Sequence, residues 1–212
     1  MHRRLTGEFL ATFSLVFCGT GAIIINQETG GAVTHLGIAT TFGLIVMAMI
    51  LSFGHISGAH MNPAVSIALC ISKRFKWRSL IPYILVQIGG ACLASLILHV
   101  LFKENKFLGG TFPNGSYGQS FVLEFILSFL LMTVILTSTK KKDYSLLIPA
   151  IAIGSTVGLE ALFAGPICGA SMNPARSLGP AIIGGNYHSI CLYLLAPISG
   201  TILGSLVFKL MN

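Results

Sequence analysis

Apolar residues run along this chain in six long stretches, at about 5–26, 36–53, 79–102, 119–138, 146–164 and 189–210, divided by short polar or glycine-rich segments. A hydrocarbon core of about 30 Å takes roughly 20 helical residues to cross, so each stretch predicts a membrane-spanning helix. Two further apolar pieces, Ala64–Ser72 and Ala175–Ile183, hold nine residues each. Nine residues make only about 14 Å of helix. These pieces predict half-helices that enter the membrane and return on the same side.

The polar interruptions carry the second pattern. Residues 54–64, GHISGAHMNPA, recur as residues 165–175, GPICGASMNPA, identical at eight of eleven positions. Lipid offers no water to satisfy a backbone, so irregular backbone at membrane depth survives only where it is buried in protein or lines a wet cavity. A channel or transporter follows. The repeat extends further: Glu8, Phe9 and Leu10 echo Glu124, Phe125 and Ile126, and Tyr83, Gly90 and Ser95 match Tyr193, Gly200 and Ser205. Each half holds three full spans and one half-span. Three is odd, so the second half sits upside down relative to the first. The expected fold is an all-α membrane protein with six transmembrane helices and two re-entrant half-helices in an inverted repeat. It forms a single domain, 1–212, with repeats at about 1–105 and 116–212. Small residues in Gly90-x-x-x-Ala94 and Gly200-x-x-x-Gly204 predict close helix crossings within the subunit.

Inversion brings the two tripeptides, Asn62-Pro63-Ala64 and Asn173-Pro174-Ala175, together near the bilayer midplane. Proline suits the first turn of a helix, where its missing N–H has no partner to lose. Asparagine is a strong N-cap whose amide also carries donors toward a pore. Two positive helix ends meeting at one point oppose cations, hydronium included.

Composition agrees: 54% hydrophobic, 9% charged, mean hydropathy +0.85, the profile of an integral membrane protein. The first span is too long, and lacks the cleavage signal, for a removable leader. With the N-terminus cytoplasmic, Arg3, Arg4, Lys73, Arg74, Lys76, Arg78, Lys140, Lys141, Lys142 and Lys209 face inward, ten of the thirteen basic residues. The positive-inside rule thus accounts for the net charge of +7 without a nucleic-acid partner. Both termini are expected in the cytoplasm, and the location in a cell membrane, a bacterial inner membrane in particular. Five cysteines without CxxC spacing read as small buried residues. Six histidines without a helical pair give no metal site. No cofactor is expected, and no nucleophile–base pair suggests an enzyme.

With the duplicated Asn-Pro-Ala motif and its matching glutamates in view, the chain resembles the aquaporin family over essentially its full length. The resemblance implies a homotetramer in a lipid bilayer, each subunit with its own pore for water and small neutral solutes. It also implies that Asn62 and Asn173 donate to permeating molecules, that His60 lines the pore, and that Glu8 and Glu124 tie down the re-entrant loops. The family's selectivity filter falls, counting from the motifs, on Phe42, Ala161, Ala170 and Arg176.

That quartet departs from water-selective members, which carry histidine where Ala161 stands. A methyl in place of an imidazole widens the gate and removes a polar group. The quartet and the segment 163–181 resemble plant nodulin-like intrinsic proteins, with Phe42 in place of their usual tryptophan. Glycerol, urea and uncharged metalloid acids are the implied solutes. Against a glycerol facilitator stand Ser177, where an aspartate is usual, and Ala181 and Tyr193; Leu194 points the other way. A mainly water-conducting channel is the alternative reading. A coupled secondary transporter shares the inverted repeat but requires alternating access, and a structural junction protein would carry no flux. Glu160, which the family pattern leaves unexplained, is expected to brace the loop Gly165–Met172 through its backbone N–H groups. An ion pair with Arg176, or a protonated side chain with no role, are its other readings.

Overall fold

The computed structural model describes residues 1–140 and 145–211; Lys141 and Lys142 lie outside the described residues. The described chain is helical: α1 (His2–Glu28), α2 (Thr34–Ser57), α3 (Pro63–Ile71), α4 (Leu80–Leu101, preceded by a 3-10 turn at Trp77–Ser79), α5 (Tyr117–Ser138), α6 (Leu147–Cys168), α7 (Pro174–Gly184) and α8 (Ile190–Leu210). Six of these are long and apolar enough to cross a membrane. α3 and α7, with 9 and 11 residues, span about 14 and 17 Å at 1.5 Å per residue. They are the expected half-helices.

The polarity of the molecule is that of a protein solvated by lipid. Leu44, Leu85, Leu159, Phe163 and Leu195 stand exposed on the helices, while Glu8, Glu124, Gln87, Asn62, Asn173 and Arg176 are buried. Exposed apolar faces this extensive would be a liability in water; in a bilayer they are the matched surface.

Three close crossings set the helix positions. Where α1 meets α4, a Cβ on Gly90 would stand 2.5 Å from the carbonyl oxygen of Phe9. At the equivalent crossing of α5 and α8, a Cβ on Gly200 would stand 2.2 Å from that of Phe125. The two halves cross at α2 and α6, where Gly43 and Gly154 face each other: a Cβ on either would come within 2.8 Å of the other's carbonyl oxygen. Hydrogen alone fits at these points, which is how small residues let membrane helices pack. The phenols of Tyr83 and Tyr193 then donate to the carbonyls of Ser57 and Cys168, at 2.8 Å each, fixing the ends of α2 and α6 in matching ways.

The sequence pattern ends the second and fifth spans too early. α2 and α6 run four residues beyond the expected ends, through the first part of each duplicated segment. They stop at Gly58 and Gly169, whose φ values of 93° and 81° are left-handed and whose N–H groups return to the carbonyls of Gly54 and Gly165. This is the glycine C-cap. Each irregular loop therefore shrinks to five residues, 58–62 and 169–173.

Candidate functional site

These two loops hold backbone that only strong restraint keeps. Ala59 and Met61 have φ of 46° and 52°, and Ala170 and Met172 have 39° and 51°. Left-handed conformations cost a side-chain-bearing residue about 1–3 kcal/mol each. The restraint is a buried carboxylate on the neighbouring span. Glu8 accepts from the N–H groups of His60 and Met61; Glu124 accepts from those of Ser171 at 2.6 Å and Met172 at 2.8 Å. Both glutamates have no exposed surface. Because a peptide unit is planar and trans, the carbonyls of Ala59, His60, Ala170 and Ser171 point away from the glutamates. All four residues line a common cavity.

Beyond the loops the half-helices begin. Asn62 Oδ1 caps α3 by accepting from Ala64 N at 2.9 Å, and Asn173 Oδ1 caps α7 by accepting from Ala175 N at 3.0 Å. Pro63 and Pro174 hold the first helical positions. The amide nitrogens cross over: Asn62 Nδ2 donates to Met172 O at 2.7 Å, and Asn173 Nδ2 to Met61 O at 2.8 Å. Each loop is thus pinned by the other half's asparagine, a link the sequence did not reveal. An amide group has two N–H donors, so each asparagine keeps one for the cavity that both line. Pro63, Ala64, Pro174 and Ala175 are buried behind them.

The cavity has a volume of about 360 Å³ and runs from Arg176 to Arg74. The loops give it a polar wall, and Leu15, Val46, Ile50, Leu131, Ile153 and Val157, from the long helices, give it an apolar one. Phe42, Ala161, Ala170 and Arg176 all line it. Arg176 is 3% exposed; its Nη1 donates to Gly109 O at 2.8 Å, its guanidinium carbon Cζ lies 5.1 Å from the centre of the Phe42 ring, and its Nε is buried without a hydrogen-bond partner among the described residues. Ser177 is held between Thr111, at 2.8 Å, and Ser171. His60 lines the cavity beyond the asparagines, with Nδ1 3.0 Å from Ser66 Oγ and its ring against Phe75 and Tyr83.

Two lining or bracing groups escaped the sequence reading. Arg74 is no free surface charge: its Nη1 donates to Leu136 O and Thr139 Oγ1, closing the end of α5, and it lines the cavity's far mouth. Gln87 is wholly buried and donates to both Glu8 and Ser66. Its signal was legible, a polar residue inside an apolar span with Pro197 at the matching place in α8.

Glu160 corrects an expectation. It is buried, yet among the described residues neither carboxyl oxygen has a hydrogen-bond partner, so it does not brace the loop and makes no hydrogen bond to Arg176. Two causes are visible. Gly165–Cys168 belong to α6, and the N–H groups of Ser171 and Met172 are already held by Glu124. What remains of the readings is a side chain with no partner.

Comparison with known proteins follows the same lines. The model of the family "Major intrinsic protein" matches residues 1–208. Aquaporin NIP1-2 of Oryza sativa subsp. japonica is 43% identical over 98% of this chain and 71% of its own length. Aquaporin NIP3-1 of Arabidopsis thaliana is 44% identical over 99% and 68%, and probable aquaporin NIP4-2 of the same plant is 45% identical over 100% and 75%. The X-ray structure of the aquaglyceroporin from Plasmodium falciparum superposes with a TM-score of 0.90 at 26% identity, over 98% of this chain and 95% of that one. The relatives named are plant proteins, which leaves the expected bacterial membrane without support. With six membrane-spanning helices, two capped half-helices and a family match over nearly its whole length, this chain belongs to the major intrinsic protein family.

Proposed function

We propose that this chain is a passive channel for water and small uncharged solutes, glycerol, urea and uncharged metalloid acids among them, and that it excludes ions and protons. One observation carries the reading: a single cavity joins Arg176 to Arg74, with hydrogen-bonding groups along one wall and aliphatic side chains along the other. A neutral polyol presents the same two faces. Its hydroxyls exchange water for the free donors of Asn62, Asn173 and Arg176 and for the loop carbonyls, and its carbon backbone slides against leucine, isoleucine and valine. The names of relatives support it, being aquaporins and an aquaglyceroporin.

Solute size is set, in this reading, by Phe42, Ala161, Ala170 and Arg176. Two methyls at 161 and 170 leave the aperture to one aromatic wall and one cation. Charge is set by Arg176 and by the N-termini of α3 and α7, each carrying about half a positive charge. The oxygens of Asn62 and Asn173 are committed to their own helices, so at the centre the asparagines only donate. A cation meets these positive ends and no carboxylate among the residues that line the cavity, since Glu8 and Glu124 direct their oxygens to the loop backbone.

The same proposal includes a homotetramer and cytoplasmic termini. An even number of spans puts both ends on one side, and the basic clusters favour the cytoplasm; native mass spectrometry and terminal-tag protection test these two points. For the channel itself, proteoliposomes are shrunk in sucrose and then exposed to glycerol, urea or arsenous acid. Fast shrinkage followed by fast re-swelling is expected. Water flux with no re-swelling in any of the three would leave a water channel and reject the wider one.

A further inference from the structure

The Phe42 ring owes its place to a residue on another helix. Gly19 of α1 faces it so closely that a Cβ there would stand 2.2 Å from Cε1, 2.5 Å from Cζ and 2.7 Å from Cδ1 of the ring. The ring lines the cavity and lies 5.1 Å from the Arg176 guanidinium. It therefore occupies a slot between the α1 backbone and the open passage, and the slot exists because position 19 has no side chain. The inverted repeat offers an internal comparison. Counted from Glu8 and Glu124, Gly19 corresponds to Ile135; counted from the Asn-Pro-Ala motifs, Phe42 corresponds to Ile153. Both isoleucines line the same cavity. A large residue backed by an absent one is thus confined to the half of the passage that holds Arg176, while the other half has two residues of equal size.

We propose that Gly19 is a specificity-determining position: by leaving the slot empty it lets the Phe42 ring lie back from the passage, and so sets the aperture for solutes larger than water. The inference rests on the reading that Phe42 belongs to the filter. Ordinary carbon–carbon contact begins near 3.5 Å, so a methyl at position 19 displaces the ring by about 1.3 Å. The ring is the free end of a side chain, whereas α1 and α2 are packed helices. The ring moves, and the open direction is the passage.

The test uses the full chain in proteoliposomes, with glycerol and water fluxes measured on the same vesicles and melting followed in detergent. Gly19→Ala is expected to lower the glycerol-to-water ratio by at least roughly tenfold, the lower bound for one methylene in a fitted site. Gly19→Ala combined with Phe42→Val is expected to restore it, since the clashing ring is gone. An unchanged ratio in a folded Gly19→Ala channel, while Phe42→Val alone shifts it, overturns the inference and leaves the filter standing. Unchanged ratios in both single variants overturn the filter reading and this inference with it. Equal losses of water and glycerol that the double variant does not repair assign Gly19 to packing alone and also overturn it. If Gly19→Ala does not fold, the double variant decides: recovery of folding and of glycerol flux supports the slot, and failure to fold rejects it.

Discussion

Removal of the Glu124 carboxylate offers the sharpest test of how the loops are held. Glu124 is fully buried and accepts from Ser171 N and Met172 N at 2.6 and 2.8 Å. Glu124→Leu deletes both acceptors in a place water does not reach. A buried donor left without a partner costs about 1–3 kcal/mol, so the pair costs about 2–6 kcal/mol. The left-handed backbone at Ala170 and Met172 then loses what imposes it and relaxes, taking Ala170 and Asn173 out of register with the opposite loop. Glu124→Gln keeps one acceptor and sets an amide donor against the other N–H, for about half the loss. At about 2–4 °C per kcal/mol for a chain of this size, Glu124→Leu is expected to melt roughly 10 °C lower in detergent and to lose most of its water and glycerol flux. Glu124→Gln should fall between it and the parent. A leucine variant that melts and conducts like the parent would mean that the carboxylate does not hold the loop.

Other expectations follow from the same geometry. Ala161→His with Ala170→Thr narrows the end that holds Arg176 and should cut glycerol flux at least about tenfold, equivalent to ~1.4 kcal/mol, with water largely spared; equal glycerol rates in mutant and parent would show the filter lies elsewhere. Arg176→Val should admit a small proton or cation leak under an imposed potential, held small by the two helix ends, and a variant as tight as the parent would credit those ends alone. Glu160→Leu should raise the melting temperature, because an unsatisfied buried group costing about 1–3 kcal/mol is removed, and should leave flux intact; a destabilised variant would reveal a partner the structure does not contain.

Much of this was legible in the sequence, and for physical reasons. Spans about 20 residues long are forced by bilayer thickness, and a duplicated Asn-Pro-Ala declares two helix starts wherever it stands. The spacing from those motifs picked out Phe42, Ala161, Ala170 and Arg176, which all line one cavity; whether they select solutes is for flux measurements to decide. The boundaries of α2 and α6 were misread because Gly54 and Gly165 look like loop residues, while the breaks come at Gly58 and Gly169, where φ turns positive. Glu160 was misread because membrane acids are usually paired, and a sequence does not show that another acid already holds the N–H groups of Ser171 and Met172. The cross-bonds between Asn62 and Met172 and between Asn173 and Met61 join residues from opposite halves, so no local pattern announces them. Gly19 was silent for the same reason: its significance lies in a ring on a different helix.

The central claim, passive passage of neutral solute through one continuous polar-walled cavity, is tested most directly by the initial rate of glycerol influx into proteoliposomes as the glycerol gradient is raised, with and without an imposed proton or sodium gradient. A passive channel gives a rate that rises in proportion to the glycerol gradient and ignores the ion gradients. A rate that reaches a plateau, or that follows the ion gradient, would contradict it and identify a coupled carrier.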